Sequence, residues 1–428
     1  MNESTAVRRL PWLNADTRTG RWWALVGGVR GLMIGALPIL IEVISPNRVA
    51  ISVAVAVAYL VGALVIARPR AADRQVLTYA FAAAIFVGIS LWRMETIDPL
   101  NSAQRAYGLA KATYFLEAAL PLSLAAALLV SSLNDVRPAV FMFLAVGLVL
   151  ALLAVVLRDP ALLGVSRYPT QGNLIAIAGL LLCQFWLVRD FRIVAVGALL
   201  CLVGVVITES RQSLAALVVG LGFTGVYWFL ADRVRVRAGK MSALARMWAL
   251  PAVGYGLVLA AVIVWALLIL QPWVHMPRAI RDPVACNCIA GRFVDVFVNP
   301  GGRNTLIEQG WNLFAGHPIF GAGLGSYVGL APYPYPHNIP LEVAGEMGLV
   351  GVLILLVPLV VAWIRLTIAG LRAASPAAAS LLVIVVVYAV VANLSGDLAS
   401  ERGLWVFGLI ALKLGFNARP VVAAKGRA

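Results

Sequence analysis

Residues 138–157, PAVFMFLAVGLVLALLAVVL, run for twenty positions without one charged, amide or hydroxyl side chain. A bilayer core of about 30 Å is crossed by a helix of roughly 17–25 apolar residues, so this stretch has the length of one complete span. Arginines bracket it at 137 and 158. The same ruler, moved outward, marks further spans near 22–44, 49–67, 75–92, 107–131, 171–188, 191–207, 213–230, 248–270, 340–364, 377–394 and 402–415. The pair around Arg189-Asp190-Phe191-Arg192 is short and closely spaced. The fold class that follows is all-α: a polytopic integral membrane protein of about 12 helices. Composition agrees. Apolar residues make up 62% of the 428-residue chain and charged residues 12%, and a soluble domain has no core large enough to hide that much apolar surface.

The net charge of +15 would suit nucleic acid, but its placement assigns it to topology. With the N-terminus in the cytoplasm, the inward segments hold about 21 basic residues, from Arg8 and Arg9 through the Arg233–Arg246 cluster to Arg427, and the outward ones about 11. The excess faces anionic membrane lipid, and no nucleic acid is expected. Trp22 to Ile44 is too long for a signal-peptide core and lacks a small-residue cleavage pattern, so it reads as an uncleaved first span. The chain then divides into 1–270 with helices one to nine, an extracytoplasmic loop over 271–339, and 340–428 with the last three helices and a cytoplasmic tail.

All three histidines, His275, His317 and His337, fall in that loop. Within it, Thr305 and Glu308 have capping-box spacing ahead of Leu306, Ile307, Trp311 and Phe314, which predicts a surface helix of about three turns with Arg303 just before it. Gly316 to Gly325 reads as turns, with a phosphate cradle as the weaker alternative because no βαβ unit surrounds it. Pro332 to Pro336 alternates proline with tyrosine and is stiff and extended. Pro340 suits the first turn of the next span.

His337 therefore stands just outside a helix N-terminus. The partial positive charge there disfavours imidazolium and keeps the ring neutral near pH 7, as a general base needs. A purely capping histidine is the alternative. Arg211 lies in the tight outer turn before 213–230, where a guanidinium wants an anionic partner: Glu209, or a phosphate held bidentately. Arg303 is a second such candidate or a solvated charge. Lys111 is a third phosphate contact or the partner of Glu117. Cys183 and Cys201 sit in apolar runs as inert thiols, and a bridge between Cys286 and Cys288 would be strained. The histidines lack zinc-site spacing, and neither a metal nor another cofactor is expected.

Ser210-Arg211-xx-Leu214, Gly302-Arg303 ahead of Trp311, His317-Pro318-Ile319-Phe320-Gly321-Ala322-Gly323-Leu324-Gly325, and His337-Asn338-Ile339-Pro340-Leu341-Glu342-xxx-Glu346-Met347-Gly348-Leu349-Val350-Gly351 follow in that order. The run, over about 205–352, resembles the signature of the O-antigen ligase and polymerase superfamily. The resemblance implies a bacterial inner-membrane glycosyltransferase that takes a glycan from undecaprenyl pyrophosphate on the periplasmic face. In the ligase branch, which chain length fits best, lipid A–core oligosaccharide is the acceptor and no metal is needed. It implies His337 as catalytic base, with Arg211 and Arg303 on the pyrophosphate. An O-antigen polymerase and a protein O-oligosaccharyltransferase differ in acceptor. A transporter would need Gly- or Pro-interrupted spans paired between two related halves; the sequence offers one arginine inside a span, Arg30, and no such pairing.

Overall fold

The computed structural model describes residues 18–43, 49–67, 73–157, 168–189, 192–208, 210–237, 301–330 and 333–417. Among these residues the secondary structure is helical, without strands. The helices are α1 (Arg18–Val43), α2 (Val49–Ala67), α3 (Arg74–Thr96), α4 (Ser102–Tyr114), α5 (Leu120–Leu129), α6 (Arg137–Leu157), α7 (Tyr168–Arg189), α8 (Arg192–Ile207) and α9 (Arg211–Arg237). After residues 238–300 come α10 (Gly301–Gly316), α11 (Ile339–Gly351), α12 (Val357–Ala373), α13 (Pro376–Leu394) and α14 (Arg402–Asn417). Single π-helical turns join α4 to α5 and α11 to α12, so no loop separates the members of either pair.

Seven of these helices and joined pairs are long and apolar enough to cross a membrane, and 170–185 and 194–207 are shorter apolar helices. The expected span at 248–270, His275, Cys286 and Cys288 lie outside the described residues. Large apolar side chains point outward along the helices, with Leu32 at 76% exposure and Val65 at 71%, as suits surfaces whose solvent is lipid. Between helices, small residues allow close approach. A Cβ added to Gly147 on α6 would meet the Leu174 carbonyl oxygen of α7 at 2.6 Å, and one added to Gly204 on α8 would meet the Ala151 Cα of α6 at 3.0 Å.

Successive turns gather at opposite ends of the bundle. At one end Glu42, Thr170, Gln212 and Ser395 line a single cavity, Gln104 donates to the carbonyls of Ser326 and Val328, and Tyr107 meets Asp397. At the other, Lys413 bonds Asp73 and the Ala127 carbonyl, Gln184 donates to the Ala379 carbonyl, and Tyr227 donates to that of Ser375. Arg30, expected within a span, belongs to the second end: it pairs with Asp135 at 2.7 Å and bonds Ser131 and the Leu129 carbonyl in the turn between α5 and α6. The charge is met there at the bundle's edge.

The expected continuous span over 340–364 is interrupted. Gly348 stands at φ 69°, ψ −169°, a conformation that only glycine adopts without strain. A regular helix would bond Leu349 N–H to the Gly345 carbonyl and Val350 N–H to that of Glu346. Instead the segment after α10 is inserted into the break. Ala322 and Gly323 donate to the carbonyls of Gly345 and Glu346, while Leu349 and Val350 donate to those of Pro318 and Ile319, all at 2.8–3.1 Å. An unsatisfied backbone group costs several kcal/mol in a bilayer, so these four bonds are what permit the break. They also make 317–323 a packed structural wedge, and the glycines there serve backbone contact: a Cβ at Gly321 would lie 2.2 Å from the Glu346 carbonyl carbon.

Candidate functional site

His337 has the left-handed backbone, φ 55°, that histidine adopts more readily than most residues but still rarely. The cause is the helix start that follows. Asn338 is the N-cap of α11: its Oδ1 accepts from Leu341 N–H at 2.9 Å and its amide donates to the Asn393 carbonyl. With Asn338 extended and Pro340 fixing the first turn, the chain must reverse at His337. The ring is then held from three sides. Nδ1 lies 3.3 Å from the Ser395 carbonyl oxygen, and the rings of Tyr333 and Tyr335 meet it edge-on at 4.9 and 4.5 Å. A carbonyl only accepts, so the matching neutral tautomer carries its proton on Nδ1 and a lone pair on Nε2. Burial pushes the Tyr335 hydroxyl up to about 12, with nearby carboxylates adding to the rise, so that phenol stays protonated.

Ser395 opens the turn from α13 to α14, and this turn was missed in the sequence, where 395–401 counted only as a gap between spans. Asp397, Glu401 and Arg402 within eight residues were the available signal. Together with Ile41, Glu42, Thr170, Asn173, Gln212 and Tyr388, the turn lines a cavity of about 190 Å³. Two groups around the cavity have unused polarity: the buried Tyr388 hydroxyl and Arg402 Nε have no hydrogen-bond partner among the described residues. Burial pushes the Glu401 carboxyl up to about 8 against the pull of Arg402, and Asp397 and Glu42 raise it further.

Arg211 is the first residue of α9, as expected. The start of that helix is pinned to α7, since Ser213 donates to Asn173 Oδ1 at 2.7 Å and lies 2.6 Å from Ser210 across their hydroxyls. Its neighbour Gln212 and Ser395 line the same cavity, which brings the backbone of Arg211 to the His337 end. Arg303 is the third residue of α10, inside the helix rather than before it, and Thr305 lies within the helix instead of capping it. Gly310 packs against Leu341, and Gly345 lies against Gly310 and Leu313. The contacts therefore run in the same order along α10 and α11. Both N-termini, with Arg303 on one and His337 before the other, point to the same end.

Lys111 is placed differently from either expectation. Glu117 is exposed and is not its partner; Lys111 is 3% exposed and held by Glu342 Oε1 at 2.5 Å and Glu346 Oε2 at 2.7 Å. Two carboxylates enclose the ammonium, so in this structure it is their ion-pair partner. His317 is exposed and its N–H closes the last turn of α10. Cys201 is buried and Cys183 half-buried, as the apolar runs around them imply.

Residues 196–356 match the family model described as O-antigen ligase. The matched stretch contains Arg211, Arg303, the wedge and the whole of α11, and it supports membership of the O-antigen ligase superfamily. No curated protein matches the chain in sequence.

Proposed function

We propose that this chain is an inverting glycosyltransferase of the bacterial inner membrane. It passes an O-antigen glycan from undecaprenyl pyrophosphate to lipid A–core oligosaccharide on the periplasmic side. The observation that carries the reading is His337, oriented through Nδ1 by the carbonyl of Ser395, a residue that also lines a polar cavity reaching the start of α9. Nε2 takes the proton of an acceptor sugar hydroxyl as its oxygen attacks the anomeric carbon. The bond from that carbon to the pyrophosphate oxygen breaks on the opposite face, and undecaprenyl pyrophosphate leaves with the electron pair. Arg211 and Arg303, each in the first turn of a helix at this end, hold the leaving group. Guanidinium forks match phosphate oxygens bidentately, and the helix N-termini add favourable dipoles. This is the charge stabilisation that metal ions supply in other phosphate chemistry.

Deleting the gene tests the acceptor. A ligase loss leaves lipid-linked polymer accumulating, with none on the outer leaflet, and a plasmid copy carrying His337→Ala should not reverse it. Single repeat units on the lipid A–core would instead identify a polymerase, and intact lipopolysaccharide with unglycosylated protein a protein O-oligosaccharyltransferase.

A further inference from the structure

Lys111, Glu342 and Glu346 are buried, and none of the three lines the cavity that Ser395 lines. One carboxylate would neutralise the ammonium, and a second buried carboxylate is costly unless it does something else. The two glutamates differ in what else they hold. Glu346 bonds Lys111 through Oε2, and its Oε1 has no hydrogen-bond partner among the described residues. Glu342 uses both oxygens: Oε1 accepts from Lys111, and Oε2 accepts from the backbone N–H of Leu398 at 2.9 Å. Leu398 lies three residues beyond Ser395, whose carbonyl meets His337 Nδ1. The same turn is tied a second time to α4, since the Tyr107 hydroxyl donates to Asp397 Oδ2 and the Tyr107 ring lies 4.9 Å from the Lys111 ammonium.

We propose that Glu342 is a positioning residue for His337. Through the Leu398 N–H it fixes the turn between α13 and α14, and so the carbonyl that sets the imidazole, while Lys111 holds the Glu342 carboxylate in place. Glu346 shares the charge of Lys111 but has no part in the tether. The inference rests on His337 being the base, because a tether to its orienting carbonyl matters only if the ring does chemistry. A shift of about 1 Å in a reacting group can cost on the order of a hundredfold in rate.

The matched pair Glu342→Leu and Glu346→Leu separates tether from charge, since each removes one carboxylate from Lys111 and leaves one. Transfer would be followed in purified protein, with undecaprenyl-pyrophosphate-linked glycan and lipid A–core extracted from the source cells. Glu342→Leu should lower kcat by roughly ten- to a hundredfold with the KM for the lipid donor within about twofold. Glu346→Leu should stay within about threefold of wild type, and Glu342→Gln, whose single amide oxygen still accepts from Leu398 while its NH2 no longer accepts from Lys111, should recover part of the lost kcat. Equal losses at both positions, a Gln variant as slow as the Leu variant, or a change confined to KM would each overturn the proposal. Should Glu342→Leu fail to fold, Glu342→Asp replaces it, keeping the charge but too short to span Lys111 and Leu398 together. Wild-type kcat in that variant would overturn the tether equally. His337→Gln in the same preparation reports on the underlying reading: turnover retained there would mean the base is elsewhere, whatever the glutamates do.

Discussion

The two ends of the helical bundle are built from similar residues to opposite effect. At the end holding Arg30 and Lys413, charges are closed into pairs between neighbouring helices: Arg30 with Asp135, Lys413 with Asp73. At the His337 end, polar groups converge on a cavity, the Tyr388 hydroxyl and Arg402 Nε lack partners among the described residues, the backbone at His337 is left-handed, and α11 is broken and refilled by a loop. Polar groups inside a membrane protein are costly, and an end that leaves them uncompensated is adapted to something that arrives later. In the proposed reading the first end is structural and the second is where the chemistry takes place.

The broadest way to break this contrast is to ask which end faces which compartment. In a cysteine-free background, cysteine at the exposed position Glu308 should react with a membrane-impermeant maleimide added to intact spheroplasts, and cysteine at the exposed position Arg372 should react only after lysis. The reverse pattern would put the cavity in the cytoplasm and remove the donor from reach. The next effect concerns the arginines. If each grips pyrophosphate as a fork, Arg211→Lys and Arg303→Lys should each cost about a hundredfold or more in kcat, nearly as much as alanine, because an ammonium cannot reproduce the bidentate geometry. Full activity in either lysine variant would reduce that residue to a positive field or a structural charge.

A smaller effect sharpens the comparison through stability. Glu401 at the cavity has a folded pKa of about 8, raised from the usual carboxylate value of 4.5. Between those values the folded state holds a proton that the unfolded state has released. Its stabilising contribution is therefore full below about pH 4.5, declines as pH rises, and is gone above about pH 8. Thermal unfolding in detergent should show wild type losing a few degrees more than Glu401→Gln between pH 6 and pH 8.5. Parallel curves for the two proteins would mean the carboxyl is not held protonated.

Much of this bundle was legible in the sequence because bilayer thickness is a ruler. The run at 49–67 is α2 itself, 138–157 fills α6 but for one residue, and 377–394 does the same for α13. The placement of Arg211 and His337 at helix starts followed from local signals, a polar turn in one case and Asn338 with Pro340 in the other. The break at Gly348 was hidden because the apolar run passes through it unchanged, and only a segment from elsewhere, 318–323, reveals it by taking the freed backbone bonds. The partners of Lys111 were hidden for a similar reason. Glu117 was near in sequence, but Glu342 and Glu346 lie 231 and 235 positions away. The start of α10 at Gly301 was missed because Thr305 and Glu308 have capping spacing, and two leading glycines are poor helix formers. Local chemistry was readable; pairings across the bundle were not.

The central claim is that the His337 end performs proton abstraction, and His337→Gln tests it most directly. Glutamine can still hydrogen-bond the Ser395 carbonyl through its amide but cannot take a proton at neutral pH. With purified protein and saturating donor and acceptor, turnover should fall by about a hundredfold or more, while the variant keeps the wild-type unfolding midpoint and binds the lipid pyrophosphate as before. Turnover close to wild type in that variant would contradict the account, since the buried Glu342 and Glu346 offer no accessible base in its place.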